Sequence, residues 1–427
     1  MKKIIIISLL LISIVSSAFS SDALTIEESY AEAKANNKSY SLALLEYKNF
    51  VNEENKENPF LPSISLSSSI STQARMINEQ SIQSPSFSLS AGASFSLSAT
   101  SFIDKEVKNA NNNEALLSLT STEETLKSSV VEAYLNLLLY REAVKVSEES
   151  YEKASSEYTS ILSSYNEGLS SELELKQSEL ALKEAETKHK ENKRELESKE
   201  RAFYLLTGID SSKVNLISLD SFTTLSLIDA ETLFENYKED TTLVKSAKNS
   251  LLTKVLEEKS GKLSAYAPSF SLSANYSLGY SESSNLSDSL SLSATVSIPI
   301  DGYIKNSAYN IKVKKAENDI EESKLSLSIT YETLLNDIKE VLSSLSAIKE
   351  SIELQESKNE NLQYQETLTK EMYESGSASY QSLVESHAAL LEGKYSLLSY
   401  KVNYISKLYT LSTLLSVEVE DLLIINN

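Results

Sequence analysis

Four stretches of the chain alternate apolar residues with serine. Between Pro85 and Ala99 the sequence reads PSFSLSAGASFSLSA: every second residue is apolar (Phe87, Leu89, Ala91, Ala93, Phe95, Leu97, Ala99), and nearly every residue between them is serine. A two-residue period predicts a β-strand with two unlike faces. The same pattern recurs in PSISLSSSIS from Pro62, PSFSLSANYSLGY from Pro268 and DSLSLSATVSIPI from Asp288. Strands are therefore expected over 62–73, 85–99, 268–280 and 288–300. All five prolines, Pro59, Pro62, Pro85, Pro268 and Pro299, stand at or near the ends of these strands. Proline cannot donate to a central ladder, which suits those places.

The period changes between the strand pairs. From Leu126 the residues Val130, Ala133, Leu137, Tyr140, Val144, Ser147, Tyr151, Ala154, Tyr158, Ile161 and Tyr165 recur at spacings of four and three. Leu327, Tyr331, Leu334, Ile338, Val341, Leu345, Ile348 and Ile352 do the same. A sustained 3.5-residue period predicts coiled-coil packing, with the Glu, Lys and Ser positions around it in water. Helices are expected over 25–58, 104–165, 170–206, 230–262, 302–373 and 377–416. At 1.5 Å per residue the two longest reach roughly 90–100 Å.

The plan is used twice. YNEGLSSELELKQSELAL from Tyr165 matches YESGSASYQSLVESHAAL from Tyr373, with Gly168 on Gly376, Leu175 on Leu383, Ser178 on Ser386 and Leu182 on Leu390. IDKEVKNA from Ile103 parallels IDGYIKNS from Ile300. Glycine suits the left-handed residue that ends a helix, and serine the cap that starts the next. This is an internal duplication. The first repeat is set at 21–214, with a helical hairpin over 104–206, and the second at 215–427, with a hairpin over 302–416. Residues 208–228 link them with weak strand character. The first strand pair, from Pro62 to Asp104, is longer than the second, from Pro268 to Asp301. The excess is expected in the first hairpin loop, around 75–84.

Charge and composition narrow the function. The chain has 427 residues and a net charge of −21, which repels nucleic acid. It has no cysteine, two histidines and eight glycines. Disulfides, thiol nucleophiles and lipid-anchoring cysteines are excluded, and metal sites and phosphate loops have few of their usual parts. His189 and His387 lack ligand-spaced neighbours and read as surface residues. TGID at Gly208 reads as a helix stop. No cofactor, no metal site, no catalytic residue and no enzymatic activity are expected. Lys2 and Lys3, the apolar run 4–15 and small residues to Ser20 have the form of an export signal over 1–20. An exported chain enters a second membrane only as β-structure.

Four strands cannot close a barrel, and bare edges are forbidden in hydrocarbon. Three chains would supply twelve strands, each long enough to cross a bilayer when tilted. The apolar residues would then face lipid and the serines a water-filled lumen. Phe60, Phe102, Tyr266 and Tyr303 flank the strands on the helix side, where an aromatic girdle belongs.

With these features the chain resembles the TolC-like outer membrane efflux proteins. The resemblance covers essentially the whole mature chain. It rests on LTIEESYAEAKANN, PFLPSISLS, AYAPSFSLS, the paired IDKEVKNA and IDGYIKNS, and the two Y-x-x-G turns, in that duplicated order. It implies an α+β membrane protein: a trimeric 12-stranded β-barrel, four strands per chain, continuing into a long α-helical coiled-coil periplasmic tunnel. It implies a homotrimer in outer membrane lipid, met by a periplasmic adaptor (membrane fusion) protein and an inner-membrane pump of RND, ABC or MFS type. It implies the exit channel of a tripartite efflux or type I secretion system. Carried over by position, the adaptor-contact tips are Tyr165, Gly168, Leu169 and Ser170 in one repeat, and Tyr373, Gly376, Ser377 and Ala378 in the other. The constriction falls on Ser382 and Glu385, of which only Glu385 supplies charge. Glu174 is placed to accept a hydrogen bond from Tyr373 of a neighbouring helix. Ala378 stands where the family has a basic partner, against a tight ionic lock. The competing reading is an exported coiled-coil adhesin or structural spacer, which keeps the heptads but needs no paired alternating strands.

Overall fold

The computed structural model describes residues 23–56, 61–77, 80–216, 229–281, 285–419 and 422. The expected export signal over 1–20, Pro59, Phe60, the loop residues 78–79 and the 217–228 part of the link lie outside the described residues. In chain order the elements are α1 (Ile26–Asn36), α2 (Lys38–Lys56), β1 (Ser63–Ile77), β2 (Gln80–Ser98), α3 (Ser101–Asn166) and α4 (Glu172–Thr207). There follow α5 (Ala230–Tyr237), α6 (Thr242–Tyr266), β3 (Ser269–Ser281), β4 (Asn285–Ser297), α7 (Ala308–Glu374) and α8 (Tyr380–Leu415). Two compact units result, and each draws on both repeats: residues up to 42, 122–234 and from 336 onward form one, 43–121 and 235–335 the other.

In the first unit the heptad stripe is the core. Val130, Leu137 and Ile161 of α3 and Ile338, Leu345 and Ile352 of α7 are buried. One cluster gathers Leu24, Val131, Tyr134, Leu135, Leu137, Phe203, Ile209 and Val402. Tyr134 donates its phenol to the Leu24 carbonyl at 2.7 Å, so its one polar atom is satisfied inside the cluster. The link between repeats begins with a single parallel bridge, Leu24 to Leu216. Gly208 ends α4 in the left-handed conformation, φ 78°, as the expected helix stop.

In the second unit β1 to β4 form one antiparallel sheet in sequence order. The first hairpin corrects the expected loop. β1 has 15 residues and β2 has 19, against 13 each in β3 and β4, and pairing runs out to Ile77 opposite Gln80. The extra residues lengthen the ladder, not the loop. Pro85 therefore lies inside β2, opposite Thr72, where β2 has just lost its β3 neighbour. A residue without an N–H is tolerated there because that side of the strand is an edge.

The helices also differ from expectation at their starts. The segments 25–58 and 230–262 are each broken. Asn37 turns extended after α1, and its Oδ1 accepts from Tyr40 N at 3.0 Å to start α2. Thr241 caps α6 by accepting from Val244 N at 3.3 Å. Side-chain acceptors that satisfy free helix N–H groups outweigh the continuous helical pattern there. The two IDxxxxNx segments do not share a conformation. IDKEVKNA is inside α3, whereas IDGYIKNS holds a short 3₁₀ turn (Asp301–Tyr303) and a left-handed Asn306, φ 63°, so α7 starts at Ala308 and not at 302. Gly302 is required there by packing, because a Cβ would collide with the backbone carbonyl of Ala265.

Candidate functional site

Over most of the rows it pairs, the sheet separates its side chains by chemistry, with Ser68 and Asp288 as exceptions on the apolar face. Following one row across the strands, Ser63 pairs with Ser94, Ser94 with Ser273 and Ser273 with Ser293. Two residues on, Ser65 pairs with Gly92 and Gly92 with Asn275. Serine opposes serine so regularly that the hydroxyls bond across the strands: Ser63 to Ser94 at 2.6 Å, Ser67 to Ser90 and Ser273 to Ser293 at 2.7 Å, Ser69 to Ser88 at 2.8 Å. Each hydroxyl both donates and accepts, so this face is polar, uncharged and low in relief.

The other face carries Ile64, Leu66, Leu89, Phe95, Leu272 and Leu292. Ile64 is 83 % exposed and Leu292 72 %, so among the described residues little covers this face. A continuous apolar surface of this kind requires a non-aqueous neighbour. One carboxylate interrupts it. Asp288 pairs with Leu278 near the end of β4 and accepts from the Tyr276 phenol at 3.3 Å. Sequence reasoning passed over this pair, although the strand parity places both residues on the apolar face. Of the expected girdle, Tyr266 and Tyr303 pack edge to face, centroids 5.3 Å apart, and Phe102 is 64 % exposed. Phe60 lies outside the described residues.

The two helix turns repeat one geometry. Gly168 (φ 76°) and Gly376 (φ 75°) are left-handed with open space around them, so glycine is needed for its backbone and not for lack of room. Gly168 N donates to Tyr165 O and Leu169 N to Ser164 O; Gly376 N donates to Tyr373 O and Ser377 and Ala378 both to Met372 O. The caps of the following helices are Ser171 and Ser379, each a step or two later than Ser170 and Ser377. Glu174 is spent locally: it accepts from Ser171 N at 2.8 Å and Ser170 Oγ at 2.6 Å, closing a capping box. The Ser170 bond, with those to Ser171, holds its carboxyl below the usual range. Ser382 fills the matching place at Ser379. Glu385, exposed, accepts from Gln381 at 2.8 Å. The Tyr373 ring packs near Tyr380, and burial raises its phenol, helped by the charges of Glu157 and Glu174.

Above the turns lies a polar cluster that the sequence did not single out. Tyr380 donates to Glu157 at 2.8 Å, which joins α8 to α3. Glu366 of α7 lies 3.5 Å from Lys153 Nζ and 3.2 Å from His387 Nδ1. His387 is therefore half-buried and paired, not a freely solvated surface residue; burial first, then the Lys153 charge, lower its basicity. Charged positions are so common on these helices that their pattern gives no signal; only the packing of three helices distinguishes these five. Among the described residues no group of side chains could hold a metal ion, and no helix is long and apolar enough to cross a membrane.

Comparison with known proteins follows the same outline. The sequence model of the outer membrane efflux proteins matches residues 54–209 and 263–417, one stretch in each repeat. No curated protein sequence matches the chain. Among solved structures, the CmeC outer membrane channel of Campylobacter jejuni is 16% identical with a TM-score of 0.76, covering 95% of this chain and 93% of that one. CusC is 18% identical at 0.74, covering 92% of each chain. The MtrE outer membrane channel of Neisseria gonorrhoeae, in its open state, is 14% identical at 0.74, covering 92% of this chain and 89% of that one. At such identities the likeness is one of fold: a strand portion that contributes to a barrel and a long helical tunnel portion.

Proposed function

This chain belongs to the outer membrane efflux protein family and is an outer membrane protein with a periplasmic helical portion, and on that premise we propose that it forms the exit channel of a pump assembly. Three copies close twelve strands into a barrel, and the helices continue the duct toward a periplasmic adaptor and an inner-membrane pump. The observation that carries this reading is the sheet itself: one hydroxyl face, one bare apolar face and two edges that no described strand of the chain pairs. Lipid covers the apolar face, water wets the serines, and neighbouring copies satisfy the edges. A wall of hydroxyls holds no charge against a passing solute, which suits a duct whose cargo is chosen elsewhere.

Within this reading the division into repeats at 21–214 and 215–427 stands. The turns with Tyr165, Gly168, Leu169, Ser170, Gly376, Ser377 and Ala378 meet the adaptor. Glu385 and Ser382 line the narrow end, and Tyr373 and Glu174 stand beside it. Phe102, Tyr266 and Tyr303 mark the membrane boundary. Detergent extracts of outer membranes should yield a heat-modifiable trimer that conducts ions in planar bilayers. A detergent-independent monomer without conductance would overturn the proposal.

A further inference from the structure

The two polar exceptions on the apolar face fall in one row of the sheet. Ser68 pairs with Leu89, Leu89 with Leu278 and Leu278 with Asp288. Aromatic residues gather around this row. Phe87 and Tyr280 pair in the next row outward, away from the helices, and Tyr276 stands in the next row inward. All three are exposed, and the Tyr276 phenol donates outward to Asp288 at 3.3 Å. From the row of Tyr276 inward, the other described side chains of this face are all apolar, down to Phe270 and Val296.

Three physical arguments give this row a meaning. Tyrosine collects where hydrocarbon meets water, because its ring is apolar and its hydroxyl needs a polar partner. A charged group on a lipid-facing strand is costly at the bilayer midplane and nearly free at the interface. The backbone adds a second condition. β2 is an inner strand, and outward of Ser86 it has lost its β3 neighbour. Hydrocarbon would leave the bared backbone groups unsatisfied, so that part of β2 stands in water. Length supplies the third. The Tyr266–Tyr303 pair, taken above as the inner boundary, comes just before β3, and Leu278 is nine residues on from Ser269, where β3 starts. At a tilt of about 40° those nine residues rise about 23 Å, against about 25 Å for the apolar band of an outer membrane barrel. The first hairpin offers a rival boundary, since its ladder continues to Ile77, nine residues beyond Ser68. A band reaching that far would sink Asp288 about 20 Å below the outer surface.

We infer that the outer water boundary of the membrane crosses each copy at the row of Ser68 and Asp288. The Asp288 carboxylate, steadied by Tyr276, lies in the headgroup layer of the outer leaflet, and Phe87 and Tyr280 form the outer aromatic girdle. The first hairpin beyond this row stands in water outside the cell. The inference rests on the barrel reading above and adds to it the level of the lipid.

The chain has no tryptophan, so a single introduced one reports without tryptophan background. Leu292→Trp places it at the middle of the band, and Leu286→Trp one row outward of Asp288 on the same strand. Each purified variant is reconstituted into vesicles whose lipids carry bromine either near the headgroup or near the chain ends. Chain-end bromine is expected to quench Leu292→Trp at least about twofold more than headgroup bromine, and the order is expected to reverse for Leu286→Trp. If chain-end bromine quenches Leu286→Trp as strongly as Leu292→Trp, hydrocarbon extends past Asp288; the boundary is then overturned while the barrel reading stands. If neither bromine position quenches either variant, the sheet is not in lipid, and the barrel reading falls with the boundary. A carboxylate at the same two positions reads the level without fluorescence. Leu286→Asp should leave the yield of heat-modifiable trimer within about twofold of wild type, and Leu292→Asp should cut it about tenfold or more. Equal yields from the two variants would overturn the boundary.

Discussion

The phenol of Tyr380, in the first turn of α8, is hydrogen-bonded to the carboxylate of Glu157 on α3 at 2.8 Å. The contact joins the two hairpins of the chain close to the turns at Gly168 and Gly376. Burial and the Glu157 bond push the phenol well above its ordinary range, so it stays a donor at every physiological pH. Tyr380→Phe removes the donor and keeps the ring. The loss of about 1–2 kcal/mol should raise the leaky fraction of closed channels roughly 5–30-fold. Single-channel recording of the purified protein in planar bilayers measures this; an unchanged leak would show that apolar packing alone holds the tip.

His387 gives the same region a dependence on pH. Its neighbours are Glu366 on α7 and Lys153 and Glu157 on α3. Burial, with the nearby Lys153 charge, makes the folded protein hold the imidazole's proton less tightly than the unfolded chain does. The associated stability is present above the unfolded value of about 6.5 and is lost as pH falls through the lower folded value. Thermal unfolding followed by circular dichroism should show a larger loss from pH 7.5 to pH 5.5 in the wild type than in His387→Gln.

The two faces of one strand should respond oppositely to the same substitution. Leu292→Arg puts a charge on the apolar face of β4 at a cost of about 2–4 kcal/mol in the membrane, and should abolish outer membrane assembly. Ser293→Arg, one residue on, should assemble and reduce conductance. Heat-modifiability and single-channel current measure the two outcomes, and equal tolerance would refute the assignment of faces.

Two glycines should respond oppositely to alanine. At Gly302 a Cβ meets the fixed carbonyl of Ala265, so Gly302→Ala should cost about 1–3 kcal/mol and lower the yield of assembled protein. At Gly261, inside α6, a Cβ meets nothing within 4 Å, so Gly261→Ala should stabilise by about 0.5–1 kcal/mol. Denaturation midpoints in detergent compare them.

Glu385 is exposed on α8 and its carboxylate is engaged only locally, by Gln381. If three copies bring it near one axis, the closed channel should select cations and be plugged from the periplasmic side by multivalent ones. Glu385→Gln should weaken both the block and the selectivity. If both persist, Glu167 and Glu374 at the turns are the next residues to neutralise.

The parts of this protein that the sequence determined by itself are those set by periodicity and by single-residue conformational needs. Alternation of Leu, Ala and Phe with serine defined four strands and their two faces, because strand side chains alternate with a period of two wherever the strand is paired. The heptads from Val130 and Leu334 defined the buried stripes, and Gly168 and Gly376 the turns, because few other residues accept a left-handed backbone.

Tertiary structure alone decided what depends on a partner distant in the chain. The first hairpin lengthens its ladder and not its loop, since β1 and β2 support one another beyond the end of β3. Asn37 and Thr241 break helices whose pattern is continuous, since a capping bond competes with the next helical turn. IDGYIKNS departs from its parallel because the Ala265 carbonyl lies against Gly302. Within the chain Glu174 turns to its own helix end, where three donors sit within two residues. Tyr380, Glu157, Lys153, Glu366 and His387 form a site only because three helices converge, and in a chain with 61 acidic and 40 basic residues no spacing singles them out. A local pattern reports which way a side chain faces; what it meets there is a property of the packed chain.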